Sequence, residues 1–452
     1  MLRLFDTARG KVVPFETSDP GKVSMYVCGP TVYAPPHIGH GRQTVLYDVL
    51  RRYLEWTGLE VRHASNVTDI DDQIINKAAA EGTDETTIAA TYEQIWWEAM
   101  DRLDVLRPTD TPHATEYVEQ MVELIAQFLA DGVAYETSDG VYLDTSMVDG
   151  YGLLALQNLD DLRSGARVEA NLEKRSPLDF VLWKRAKPGE PTWAAPFGEG
   201  RPGWHTECVV MSLDLLGPGF DLHAGGQDLR FPHHENERAQ AVAMKSGFAR
   251  HWMHHAFIES DGEKMSKSLG NVTNLVDLIE EYDPRAFRLL ILRSHYRSPM
   301  DVTADAMLDT QAAVARLDNL RRRTADLLAA SDIEPDLSVL DRFRGSMDDD
   351  LDTPGAMATL FETVRAINAA LDRGDEATAG PLAAAAWEIA SAVGITFRSE
   401  VEVPAGILDL ARQRDEARAT KDFVAADAIR DQLQEAGYAI EDTAEGTQVR
   451  ST

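Results

Sequence analysis

Cysteine is nearly absent: Cys28 and Cys208 are the only two in 452 residues. That excludes a disulfide-stapled scaffold and makes a metal or catalytic role the better use of either thiol in so large a chain. No run of about 18 apolar residues exists to cross a bilayer. The start, Met1-Leu2-Arg3-Leu4-Phe5-Asp6, puts an acid where a secretory apolar core would continue. A cytoplasmic location with no membrane partner is expected. Positive charge is scarce too, with 44 Lys+Arg against 75 Asp+Glu and a formal charge of −31. Taken alone, this argues against nucleic acid, because phosphate binding needs positive surface. The cations that exist, 34 Arg and 10 Lys, bunch at Arg321-Arg322-Arg323 and at Arg412, Arg414, Arg418 and Lys421. Such bunches usually read as solvated helix faces.

What is present suggests two to four domains for this length. Residues 23–29 (VSMYVCG) read as a buried strand ending in Gly. A Pro-rich turn follows. Val45, Leu46, Val49, Leu50, Tyr53 and Leu54 then share one helical face, stopped at Gly58. Leu59 to His63 read as a second strand, so the order is a βαβ unit, where ligands bind beyond the carboxyl ends of the strands. Residues 75–135 are mainly helical and 136–200 are mixed and insertion-like. Strand and loop signals fill 201–275, and nearly everything after Pro299 is helical. One helix start is marked by Thr353 as N-cap with Pro354 behind it. Residues 395–405 break the helical block and bound a small last domain.

Three separated pieces carry chemistry. Cys28, Cys208, His233 and Glu237 offer two thiolates, an imidazole and a carboxylate, and a helix would put the last two on one face. Either cysteine alone passes for a small buried hydrophobe; the four together suit tetrahedral zinc. His37 to Arg42 opens a helix after a strand, where backbone N–H groups and the positive helix end favour phosphate. His37 and His40 add donors, and Gly39 permits close approach. Lys264-Met265-Ser266-Lys267-Ser268 sits on a polar loop and can gather around a pyrophosphate as its charge develops.

The pair His-Ile-Gly-His and Lys-Met-Ser-Lys-Ser is the signature of class I aminoacyl-tRNA synthetases, and the whole chain resembles the cysteinyl-tRNA synthetases. The likeness includes Met25 to Tyr33, Asn66 to Asp72, Gly203 to Cys208, Gly225 to Asp228, Phe231 to Glu237, His295 to Pro299, and Lys421-Asp422-Phe423 with Ala426-Asp427. It implies an α/β fold: a Rossmann-type parallel-sheet catalytic domain (1–112 and 201–298) with a connective insertion (113–200), an all-α helical bundle (299–395) and a small C-terminal anticodon-binding domain (396–452). It also implies one zinc ion on Cys28, Cys208, His233 and Glu237, and ATP with Mg2+ along Pro30, Gly39, His40 and Lys267. His37, His40, Lys264 and Lys267 would act in catalysis, and Thr68, Trp204 and Asp228 would line the cysteine pocket. tRNA-Cys and L-cysteine would be the partners, and a monomer is expected.

Two departures stand out. Where the family's last stretch carries Trp for stacking on RNA bases, this chain has Val449, within Gly446-Thr447-Gln448-Val449-Arg450. The Lys-Ile-Ile-Lys of some relatives, tied to a persulfide activity, is here Gln73-Ile74-Ile75-Asn76, so that activity is not expected. The rival readings are a ligase of the same ancestry joining cysteine to an amino sugar, and a non-catalytic zinc protein. The first would lack residues 406–450, and the second would show eroded signature motifs.

Overall fold

The computed structural model describes residues 1–155, 173–260, 263–264, 273–329, 333–398, 405–443 and 446–451. It divides into two compact units, residues 1–316 with 326–396, and residues 317–325 with 397–452.

Four parallel strands centre the larger unit, in the spatial order His251–His255, Leu222–Gly226, Lys22–Val27, Glu60–Ala64. These runs are short; the two later in sequence are buried throughout, as strands covered on both faces are, and they hold His223, His251, His254 and His255 within that buried layer. The helix Ile38–Trp56 carries the chain from Lys22–Val27 to its neighbour Glu60–Ala64, burying Val45, Leu46, Val49, Leu50, Tyr53 and Leu54. The next strand of this sheet in sequence, Leu222–Gly226, lies on the opposite side of Lys22–Val27. The winding therefore reverses between Lys22–Val27 and Leu222–Gly226, and a crevice opens at their carboxyl ends. Cys28 and Gly226 stand at its two lips. The Tyr47 hydroxyl pins the helix to the sheet, lying 2.8 Å from the Gly225 carbonyl and 3.1 Å from that of Met253.

Between the halves of this sheet lie the helix Val118–Ala130 and an antiparallel sheet of Ala134–Glu136, Gly140–Leu143, Phe180–Arg185 and Gly200–Pro202. They share a core built on Ile125, Phe128, Leu143, Leu182 and Trp183. The helices Leu337–Asp348, Thr353–Asp372 and Glu376–Ala392 follow the catalytic sheet in sequence. In the smaller unit, helices Ala405–Ala419 and Phe423–Glu435 precede an antiparallel hairpin, Tyr438–Thr443 with Gly446–Ser451. No helix among the described residues is long and apolar enough to cross a membrane.

Three local expectations need correction. Among the described residues of 201–275, two α-helices, Trp204–Leu216 and Glu235–Ala243, stand beside the strands, the second preceded by the helical turn Arg230–His234. Thr206, Glu207, Cys208, Val209, Met211 and Ser212 of the first are all buried, so no polar stripe reveals its period. The N-cap before Thr353–Asp372 is Asp352, whose carboxylate accepts from Gly355 N–H; a carboxylate at the positive helix end outcompetes the neighbouring hydroxyl. The chain also ends in strands, not helix, with Val449 paired to Ile440.

One buried ion pair locks the crevice's supporting helix. Asp48 accepts from Arg288 at 2.6 Å and from Arg52 at 2.8 Å, and its other oxygen takes the Leu106 N–H at 2.9 Å. Burial pushes the Asp48 carboxyl up, but Arg288 and Arg52 outweigh it and hold the group below the ordinary carboxylate range. Asp48→Asn leaves Arg288 buried without its counter-charge and is expected to cost about 3 kcal/mol, read by urea unfolding at pH 7. A depressed carboxyl stabilises above its unfolded pKa and loses that contribution as pH falls through the folded value. The gap between native and variant should therefore narrow below about pH 4.

Candidate active site and metal centre

The crevice is a cleft of 360 Å³ lined by Cys28, Pro30, His37, Gly39, His40, Trp204 and Asp228, among others. The Cys/His/Glu set meets this cleft at Cys28, and Trp204, which also lines it, stacks on His233 of the set. Cys28 follows the first parallel strand directly. Cys208 comes from the second turn of Trp204–Leu216, and His233 and Glu237 flank the start of Glu235–Ala243. All four side chains are buried.

Their donor atoms converge. Cys28 Sγ lies 3.7 Å from Cys208 Sγ and 3.7 Å from Glu237 Oε1. Cys208 Sγ lies 3.6 Å from His233 Nε2, which is 3.0 Å from Glu237 Oε1. A tetrahedral ion with bonds of about 2.3 Å to sulfur and 2.0 Å to nitrogen or oxygen needs donors roughly 3.3–3.8 Å apart. Three of these edges fall in that window, and the fourth, His233 to Glu237, falls about 0.3 Å short of it. A second buried set, Cys28, His223, His234 and Glu237, also clusters. There, however, His223 Nε2 sits 2.7 Å from Glu237 Oε2, further short of the window than the 3.0 Å edge between His233 and Glu237 in the first set. His223 instead orients the carboxylate from behind, as outer partners of metal ligands do. His234 lies 3.3 Å from Cys28 Sγ and passes its other nitrogen to His254 at 2.8 Å.

The electrostatics of this pocket oppose charge. Burial, then the hydrogen bond with Cys208, push the Cys28 thiol well above its ordinary value. For Cys208, the hydrogen bond with Cys28 favours the thiolate, but burial and the Glu237 charge outweigh it and raise the thiol. Burial pulls His233 well down. Two thiols held neutral beside a buried carboxylate form a site whose missing component is positive charge. The chemistry of the donors thus fits a divalent cation, which would invert that field.

Elsewhere on the cleft lining, the rings of His37 and His40 stack at 3.6 Å and cap the helix Ile38–Trp56 reciprocally. His40 N–H donates to His37 Nδ1, and His37 N–H donates to His40 Nδ1. Because both Nδ1 atoms accept, each ring carries its proton on Nε2. Burial lowers the pKa of both rings, with Asp228 partly offsetting the effect at His37. They are neutral N–H donors at a helix N-terminus, not cations. A Cβ at Gly39 would stand 2.9 Å from the His37 ring, so glycine here is needed for the ring's seat as well as for access from the cleft.

The remaining sequence-derived residues separate. Trp204 is 39% exposed and stacks on His233 at 4.0 Å, joining metal set to cleft. Asp228 is exposed on the cleft wall. Thr68 is set back from the lining; it is buried, donates to Glu207 at 3.0 Å and accepts from Asn66 at 3.2 Å. Lys264 lies in a two-residue strand paired with Glu259, and Lys267 lies outside the described residues. His223, His234 and Asn66 escaped the sequence reading. For His223 the available signal was a titratable residue inside an apolar strand.

Residues 14–312 match the model of the class I (C) tRNA synthetase catalytic domain, residues 342–398 the DALR domain, and residues 400–450 the cysteinyl-tRNA ligase anticodon-binding domain. Two solved structures share the fold. The methionyl-tRNA synthetase of Mycobacterium tuberculosis bound by methionyl-adenylate aligns over 90% of this chain and 96% of its own, with a TM-score of 0.63 at 16% identity. The Agrobacterium radiobacter LeuRS–tRNA–LeuAMS complex aligns over 84% and 85%, with a TM-score of 0.64 at 11% identity. Fold and sequence model together define a class I aminoacyl-tRNA synthetase architecture. The chain is 43% identical to the cysteine–tRNA ligase of Halorhodospira halophila, over 100% of both chains, and 42% identical to one from Thermus thermophilus, over 99% of both. It belongs to the cysteine–tRNA ligase family.

Proposed function

We propose that this protein attaches L-cysteine to tRNA-Cys in two steps within the one cleft, aided by a zinc ion on Cys28, Cys208, His233 and Glu237. The carrying observation is that this buried donor set opens, through Cys28 and Trp204, into the same cleft as His37 and His40. In the first step the cysteine carboxylate attacks the α-phosphorus of ATP, which arrives with Mg2+, and the bond to pyrophosphate breaks. In the second, a ribose hydroxyl of the terminal adenosine attacks the carbonyl carbon and AMP leaves.

His37 and His40 donate Nε2–H bonds to phosphate oxygens, and their neutrality lets them do so without trapping the nucleotide as salt. Pro30 and Gly39 shape the nucleotide's seat. Lys264 and Lys267 neutralise the departing pyrophosphate. Asp228 offers a carboxylate to the substrate ammonium. Trp204 closes the amino-acid pocket over His233, and Thr68, through Asn66, supports the pocket from behind. Bound zinc would supply a partner that takes a thiolate strongly and a serine hydroxyl poorly. We assign residues 1–112 and 201–298 to catalysis, 113–200 to the insertion, 299–395 to the bundle and 396–452 to the anticodon contact. The enzyme works as a cytoplasmic monomer in this reading.

The test is amino-acid-dependent ATP–pyrophosphate exchange followed by charging of tRNA-Cys. An apolar pocket separates near-isosteres by only about 1–3 kcal/mol, or roughly 10–200-fold. Cysteine is expected to outperform serine by more than about 10³-fold in kcat/KM. Discrimination inside 200-fold would reject thiolate recognition by metal. Exchange without charging, together with transfer to an amino-sugar acceptor, would reassign the protein to the related ligase.

A further inference from the structure

We propose that Arg42 and Asp350 are positioning residues of the adenylation step. Joined through residues 295–298, they set the spacing between the helix bearing His37 and His40 and the strands leading to Lys264. The inference rests on the ligase reading above.

Arg42 lies two residues beyond His40 and is 1% exposed. Its guanidinium meets only backbone carbonyls: Nη1 donates to Phe257 O at 2.7 Å and Nη2 to Ser298 O at 2.6 Å, with Tyr296 O at 3.3 Å and His295 O at 3.4 Å. No carboxylate among the described residues pairs with it. A buried cation without a counter-ion is a poor device for stability, and burial lowers this group to about 10. What the rigid planar fork does well is hold separate backbone segments at fixed distances. The segments are telling. Phe257 lines the cleft and leads into the strand Ile258–Ser260, which pairs antiparallel with Glu263–Lys264 and parallel with Met300–Asp301. Ser298 leads into Met300–Asp301. One side chain thus fixes the roots of both strands against the helix whose first turn carries the stacked histidines.

The same residues are gripped from the other side. Asp350 sits in the corner between helices Leu337–Asp348 and Thr353–Asp372. There Asp350 and Leu351 take φ values of 59° and 54° in succession, a left-handed pair without glycine that persists only where its surroundings impose it. The buried Asp350 carboxylate accepts the Tyr296 hydroxyl at 2.6 Å, Arg297 Nε–H at 2.7 Å and Phe5 N–H at 2.7 Å. Arg42 therefore holds the carbonyls of His295, Tyr296 and Ser298 while Asp350 holds the side chains of Tyr296 and Arg297. A helical-bundle corner and the nucleotide cleft are connected by two bonded layers.

The experiment is steady-state cysteine-dependent ATP–pyrophosphate exchange with thermal melting of each variant. Arg42→Lys keeps the charge and loses the fork; kcat should fall about 30-fold with the KM for cysteine within about twofold. Asp350→Asn should lower kcat about fivefold. Because both act through one segment, the double variant should resemble Arg42→Lys alone and not reach the product, roughly 150-fold. Tyr296→Phe removes one hydroxyl from the relay, should lower kcat about threefold with little change in melting, and stands in if Arg42→Lys does not fold. Unchanged kcat with lowered melting, or losses that simply multiply, would overturn the proposal. Failure of the unaltered enzyme to exchange at all would instead sink the ligase reading.

Discussion

Cys208→Ser is expected to abolish metal retention and cysteine activation together, with kcat/KM for exchange reduced at least about 10³-fold. The serine oxygen is a hard, reluctant ligand where a soft thiolate stood. The side chain it replaces closes two edges of the donor set, to Cys28 at 3.7 Å and to His233 at 3.6 Å. Volume hardly changes, so the helix Trp204–Leu216 should keep its packing, and any loss of stability should come from the lost ion. Metal content by elemental analysis and exchange kinetics are the paired readouts. A metal-free Cys208→Ser protein with full activity would refute the metal reading, since nothing else at this site distinguishes sulfur from oxygen.

His40→Ala should cost about 10²–10³-fold in kcat for exchange and leave the KM for cysteine nearly unchanged, the usual magnitude for removing one preorganised donor to developing charge. The effect has two sources. The Nε2–H donor is lost, and so is the Nδ1 that accepts the His37 N–H, which frees the His37 ring from its stack. His37→Ala should therefore be similarly damaging, and the double variant little worse than either. The neutral state of both rings carries a pH consequence. Burial lowers their pKa values, so the donors stay in one protonation state through neutral pH, and the acid limb of activity should begin below the ordinary histidine value of about 6.5.

The four donors that the fold brings together were legible in the sequence as a candidate metal set because thiols are rare in this chain, so each had to be explained. Cys28 stood at a strand end, and His233 with Glu237 stood four apart. The βαβ unit was legible because Val45 to Leu54 kept a clear helical period against one sheet face. Trp204–Leu216 was not, since burial on several sides replaced its polar stripe with Thr206, Glu207 and Ser212. His223 looked like core because its role depends on Glu237, fourteen positions away in sequence. Arg42 was invisible for a related reason: its partners are carbonyls more than 200 positions downstream, and a carbonyl leaves no mark on side-chain identity. Asp352 displaced Thr353 as N-cap by one residue, a choice between two good capping groups that only the backbone turn decides.

The donor set also bears on how the chain is made. Cys28 and Cys208 are 180 positions apart, and Glu237 comes later still, so a growing polypeptide holds one of the four donors until residue 208 and all four only from residue 237. An ion captured when Glu237 emerges would cross-link the first strand of the sheet to its later half across everything translated between them. Closing so long a loop removes much of the freedom of the unfolded chain, and the affinity for the ion becomes part of the folding free energy. Metal supply during translation would then govern how much of the protein matures, as well as how fast the mature protein turns over.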